Sequence, residues 1–147
     1  MLTSTPVPYM LCVCAICRKV GGASGSINVA AHKNSLQVEG KENISVYQAI
    51  LYRGAPEECI ASSERSFCKK CSSMLWFYAG QYSPETIYPF ASVIDSPELP
   101  AAETMTICMA GEKPAFVRLP EGKKEIYEQY PPDNLEEWHK KNNLYVA

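Results

Sequence analysis

Apolar positions along residues 26–110 come in short runs rather than at helical spacing. "SINVA", "SLQVEG", "ISVYQAILYR", "SFC", "MLWFY", "TIYPFASVI" and "TMTICMA" are strand-sized and rich in Ile, Val, Tyr and Phe. Gly, Pro, Asn or charged residues separate them, so the bulk of the chain is predicted to be β. Trp76, Phe77 and Tyr78 alternate across one such strand, which predicts at least one of them in the core. "YSPE", "DSPELP" and "GEKP" leave little room for a long helix before residue 122. "GKKEIYEQY" is predicted to form one short helix ended by Pro131 and Pro132. "DNLEEWHKKNN" is predicted to form another, capped by Asp133 or Asn134, with acids before bases as the helix dipole favours. Leu135, Trp138 and Leu144 are the candidates for tethering that tail to the body. No repeat, low-complexity tract or linker interrupts the pattern, so residues 1–147 read as a single domain.

Length and charge narrow the classes. A chain of 147 residues can bury a core without covalent staples. With 46% hydrophobic and 20% charged residues and a net charge of -2, it fits a folded globular protein rather than a disordered one. No basic face of obvious size offsets phosphate charge, so a nucleic-acid partner is not expected. Residues 1–73 carry eight Lys/Arg against five Asp/Glu and residues 74–147 six against eleven, which puts any anion-binding surface in the first half. No run approaches membrane-spanning length, and "MLTSTPVPYML" lacks the basic start and apolar core of an export signal.

The seven cysteines then become informative. Close pairs in a chain without an export signal read as metal ligands or reactive thiols of a reducing compartment, the cytoplasm or the nucleus. Cys12, Cys14 and Cys17 form C-x-C-x-x-C in "LCVCAICRKVGG", and Cys68 and Cys71 form a second knuckle in "FCKKCSS". Spacing allows two arrangements. Cys14, Cys17, Cys68 and Cys71 can close one four-thiolate structural zinc site, leaving Cys12 outside. Alternatively, Cys12, Cys14 and Cys17 form a three-thiolate site with an open fourth position, and the later pair belongs elsewhere. A closed tetrahedron stabilises, whereas an open position takes water or substrate. Cys59 and Cys108 lack a close partner and read as core or incidental.

The succession of "CVCAICRKVGG", a β-rich middle and "RSFCKKCSSMLWF", continuing into "YPFASVIDSPELP" and "YPPDNLEEWHKKNNLYV", resembles the glutathione-dependent formaldehyde-activating enzyme family, also called the centromere-protein-V-like domain. The resemblance implies a small, mainly β, tent-like zinc-binding fold (Mss4-like), with short helices at the C-terminus. It implies that Cys12, Cys14 and Cys17 hold a catalytic zinc. It also implies that Cys68 and Cys71 are half of a separate structural zinc site, whose other half is a C-x-C-G motif upstream. That motif is absent from the eleven residues before Cys12, and Ser72 stands where a glycine follows the later knuckle. The domain therefore reads as N-terminally shortened, with an exposed sheet edge and low stability expected. The later pair is left to stay empty, to recruit Cys59 or Cys108, or to collapse toward the triad.

The activity implied is that of a carbon–sulfur lyase or synthase joining a glutathione-type thiol to an aldehyde. The alternative from residues alone is a non-catalytic zinc-stabilised interaction module. Arg18 and Lys19, beside the triad, either meet the carboxylates of such a thiol substrate or form a solvated pair at a turn. "GGASGS" reads as a plain loop, with close backbone approach the other use of its glycines. His32 and His139 are assigned surface or capping roles, and Asp95 and Glu98 a turn around Pro97.

Overall fold

A computed structural model describes residues 7–145. Among the described residues, nine short strands and two short α-helices follow one another. They are β1 (Met10–Cys12), α1 (Ala15–Gly21), β2 (Ser26–Ile27), β3 (Ala31–His32), β4 (Ile44–Leu51) and β5 (Cys59–Cys68). Then come β6 (Met74–Tyr78), β7 (Thr86–Pro89), β8 (Met105–Cys108), β9 (Lys124–Ile126) and α2 (Leu135–Lys141). The mainly β reading holds.

The strands form two sheets. One is antiparallel, in the order β3-β7-β6-β5-β4. The other has the order β2-β1-β8-β9, with β1 antiparallel to β2 but parallel to β8, and β8 parallel to β9. A bridge between Asn28 and Phe90 joins the connection after β2 to the segment after β7. Parallel pairing of β1 with β8 brings together residues nearly a hundred positions apart, with Cys12 opposite Cys108. Leu11, Val13 and Ile107 turn to one side of this sheet and form a buried cluster. Cys12, Cys17 and Cys108 form another.

Most of the runs become strands, with three departures. "SLQVEG" contains no strand: a 3-10 turn ends at Ser35, and Leu36 and Val38 are only half buried. "GKKEIYEQY" contains β9 rather than a helix. Its backbone completes β8, with the Tyr127 amide donating to the Ile107 carbonyl at 2.9 Å and the Met109 amide to the Gln129 carbonyl at 2.8 Å. Sheet pairing and the extended conformation required before Pro131 outweigh a charge pattern that suits a helix weakly. None of Trp76, Phe77 and Tyr78 is fully buried. Met74 takes the core position of β6, while Phe77 stacks on Tyr88 at 4.5 Å between ring centroids.

The tail folds as α2, with Asn134 rather than Asp133 as cap. The Asn134 side chain accepts from the Glu137 amide and Glu137 returns a carboxylate to the Asn134 amide, both at 3.0 Å. Trp138 tethers the helix by stacking on Tyr9, with centroids 3.6 Å apart. His139 corrects the expectation of a surface role: it is 1% exposed, and its Nδ1 lies 2.6 Å from the Leu135 carbonyl. The reason is that Trp138 and His139 both pack around the ring of Tyr9. His32 is exposed, as expected, and so are Asp95 and Glu98 beside the cis Ser96–Pro97 bond.

Candidate metal centre

The chain leaves β1 at Cys12, passes Val13 and enters α1 at Ala15, so the three triad cysteines lie across one strand-to-helix turn. The sulfurs of Cys12, Cys14 and Cys17 lie within 4.8 Å of one another, and no other such group of potential ligands occurs among the described residues. Tetrahedral zinc with bonds of about 2.3 Å separates its sulfurs by about 3.8 Å, so a small contraction closes the triad onto one ion. Cys12 and Cys17 are buried and Cys14 is half buried. The cluster is thus largely enclosed by protein, with Cys14 its most exposed member.

Local hydrogen bonds hold this turn. Cys14 caps α1, its sulfur accepting from the Cys17 amide at 3.4 Å. The Glu112 carboxylate, far along the chain, accepts from the Ala15 amide at 2.7 Å. Arg18 donates through Nη1 to the carbonyls of Val13 and Glu112, the latter at 2.9 Å. Arg18 is therefore engaged in fastening the turn to the loop after β8. Lys19 points outward and is exposed.

On the other side, Gly25 lies against the backbone of Cys12. A Cβ at this position would stand 2.2 Å from the Cys12 carbonyl oxygen. "GGASGS" is therefore more than a plain loop: its last glycine permits close contact with the strand that carries the first triad cysteine.

The thiols perturb one another strongly. Hydrogen bonds from Cys12 and then Cys17 hold the Cys14 thiol well below its ordinary range. Cys12 is pushed up, first by hydrogen bonding with Cys108 and then with Cys14, and Cys17 is pushed up by Cys12 and then Cys14. One buried thiolate can be accommodated without a cation; three in mutual contact cannot. A divalent cation removes that conflict, and an all-sulfur donor set suits zinc.

Cys68 and Cys71 lie elsewhere, at the exposed turn between β5 and β6 on the antiparallel sheet. The Ser73 hydroxyl, 3.2 Å from the Cys71 sulfur, and then Cys68 hold the Cys71 thiol below its ordinary range. This pair does not collapse toward the triad, and the single four-thiolate arrangement is not formed. Recruitment does not occur either. Cys59 sits at the far end of β5, nine residues or about 30 Å from Cys68. Cys108 packs with the triad.

Sequence reasoning missed three neighbours of the centre. Cys108, which reads from the sequence as core or incidental, is core, at 0% exposure, but packed against Cys12 and Cys17. Glu112 and Tyr130 were not singled out. Tyr130 keeps most of its surface exposed, and partial burial of its hydroxyl, followed by the sulfurs of Cys12 and Cys14, pushes that hydroxyl up. Alternation in "TMTICMA" puts Thr106 and Cys108 on one face, but nothing local announces a parallel pairing with β1.

A mainly β chain with three cysteines gathered at a strand-to-helix turn falls in the class of small β proteins with a cysteine cluster that could hold a metal. Comparison with known proteins narrows the class. The profile of the family described as glutathione-dependent formaldehyde-activating enzyme matches residues 1–110. A protein of Halomonas elongata named "Putative glutathione-dependent formaldehyde-activating enzyme" is 35% identical over 141 residues, which cover 95% of this chain and 85% of that protein. The chain belongs to the glutathione-dependent formaldehyde-activating enzyme family. Among the described residues, no helix is long and apolar enough to cross a membrane.

Proposed function

We propose that the protein joins a glutathione-type thiol to formaldehyde, or reverses that reaction, at a zinc held by Cys12, Cys14 and Cys17. The observation that carries this reading is the convergence of three sulfurs within 4.8 Å, one of them on a partly exposed residue, separate from the Cys68–Cys71 knuckle. In the synthetic direction the thiol sulfur bonds to the carbonyl carbon, the carbonyl electron pair moves to oxygen, and the thiol proton ends on that oxygen. The product is an S-hydroxymethyl thiol. Zinc, when bound, supplies the positive charge that favours the thiolate form of the attacking sulfur at neutral pH.

The remaining work falls to the chain's own residues. Glu112 and Arg18 fix the turn, so that the cysteines keep their relative positions as a ligand arrives. Lys19, exposed on α1 two residues after Cys17, supplies a positive charge for a substrate carboxylate. Met10 and Met109 pack against the buried sulfurs and keep water from that side of the cluster. Cys68 and Cys71 take a structural role as a two-thiolate metal knuckle remote from the reaction.

The test is exchange NMR with carbon-13 formaldehyde and glutathione. Zinc-loaded wild type is expected to accelerate interconversion with the S-hydroxymethyl adduct above the uncatalysed rate, and Cys12→Ala to abolish the acceleration. Exchange at the uncatalysed rate with stoichiometric zinc bound would overturn the enzyme reading and leave a zinc-stabilised interaction module.

A further inference from the structure

We propose that Cys108 is a fourth, exchangeable sulfur of the triad's centre, taking the remaining coordination position when no substrate thiol is bound and yielding it when one arrives. The proposal rests on the reading of the triad as a metal centre and adds a ligand from a different strand. Cys108 stands directly opposite Cys12 on the neighbouring parallel strand, so the two side chains leave the same face of the sheet. It is 0% exposed and packs in one buried cluster with Cys12 and Cys17, against which Cys14 also lies. Four sulfurs from two distant parts of the chain thus converge on one place.

The geometry also separates Cys108 from the other three. The triad sulfurs form a mutually close set that does not include it. The triad cysteines come from six consecutive residues, pinned through Glu112 and Arg18. Cys108 comes from β8, held between β1 and β9, and one side-chain torsion sets the distance of its sulfur from the triad. A three-thiolate zinc completes its tetrahedron with whatever donor is nearest. Here a sulfur is already packed against the cluster.

Exchange balances without an oxidant or reductant. With zinc in place, the Cys108 sulfur would give up its position to the substrate sulfur and would take up the proton that the substrate thiol releases. Cys108 is suited to be the one that leaves because it can re-enter an apolar cluster as a thiol, which free cysteine tolerates well.

Zinc-edge X-ray absorption counts the sulfurs directly. The experiment uses full-length Cys71→Ser protein, which disables the remote knuckle, after metal analysis shows how much zinc is bound. Four sulfurs at about 2.3 Å are expected without substrate, and still four after glutathione is added. With Cys108→Ser added, three sulfurs and one lighter atom are expected, returning to four with glutathione. Three sulfurs and a lighter atom in substrate-free protein that retains Cys108 would overturn the proposal, whatever the second variant does. Protein that binds no zinc would overturn the triad reading itself, and is recognised from the metal analysis alone.

Discussion

Replacing Gly25 by alanine tests whether the loop after α1 buttresses the metal centre. Gly25 has φ +89, and its added Cβ would lie 2.2 Å from the Cys12 carbonyl oxygen, 3.0 Å from the Cys12 carbonyl carbon and 3.2 Å from the Val13 Cα. All three are backbone atoms, so no side chain can swing aside. The positive φ alone costs about 1–2 kcal/mol in a residue with a Cβ. Forcing the backbone apart adds about 1–3 kcal/mol. The expected loss is therefore about 2–5 kcal/mol, accompanied by weaker zinc binding because Cys12 moves with its carbonyl. Gly22 supplies the control: it has φ +91 with nothing within 4 Å of its Cβ position, so Gly22→Ala is expected to lose only the conformational part, about 1–3 kcal/mol, and to leave zinc binding unchanged. Urea unfolding of both variants, with and without zinc, reads the difference. Equal losses in the two variants, or zinc affinity unchanged in Gly25→Ala, would refute the buttress.

Four further outcomes follow from the same structure. Arg18→Ala is expected to lower stability by about 1–3 kcal/mol through loss of its charge-assisted bonds to the Val13 and Glu112 carbonyls, read by urea unfolding, with KM for glutathione unchanged. Lys19→Ala should do the opposite, raising KM for glutathione but not for a thiol without carboxylates while leaving the urea midpoint in place. Ser72 has φ +61, so Ser72→Gly relieves about 1–2 kcal/mol of strain and returns about 0.5–1 kcal/mol as unfolded-chain entropy; a net gain below about 1.5 kcal/mol is expected in thermal melts. Asn134→Ala removes the cap of α2 and is expected to cost about 1 kcal/mol, seen first as faster hydrogen exchange in that helix.

How legible this protein is from its sequence depends on the range of each interaction. The strand at "MLWFY" and the helix start at Asn134 are set by nearest neighbours, and both stand where the local pattern predicts. The triad is legible for the same reason, because a short turn suffices to gather three sulfurs. "GKKEIYEQY" fails as a helix because its conformation is decided by β8, whose free edge it covers. His139 is misread because Tyr9, at the other end of the chain, supplies the aromatic surface around which it is buried. Cys108 and Glu112 escape notice likewise: both reach the site through the parallel β1–β8 pairing, which leaves no mark in either strand's composition.

The central claim is that Cys12, Cys14 and Cys17 hold a metal centre independent of Cys68 and Cys71. Native mass spectrometry of intact protein purified without chelator tests it most directly, comparing wild type with the double variant Cys12→Ala/Cys17→Ala, which leaves too few sulfurs at the centre even with Cys108 in place. The account predicts that the variant binds one zinc fewer per chain than wild type, while any zinc at the remote knuckle stays. Zinc retained unchanged in the double variant would contradict it, placing the metal on a set of cysteines to which Cys12 and Cys17 do not belong.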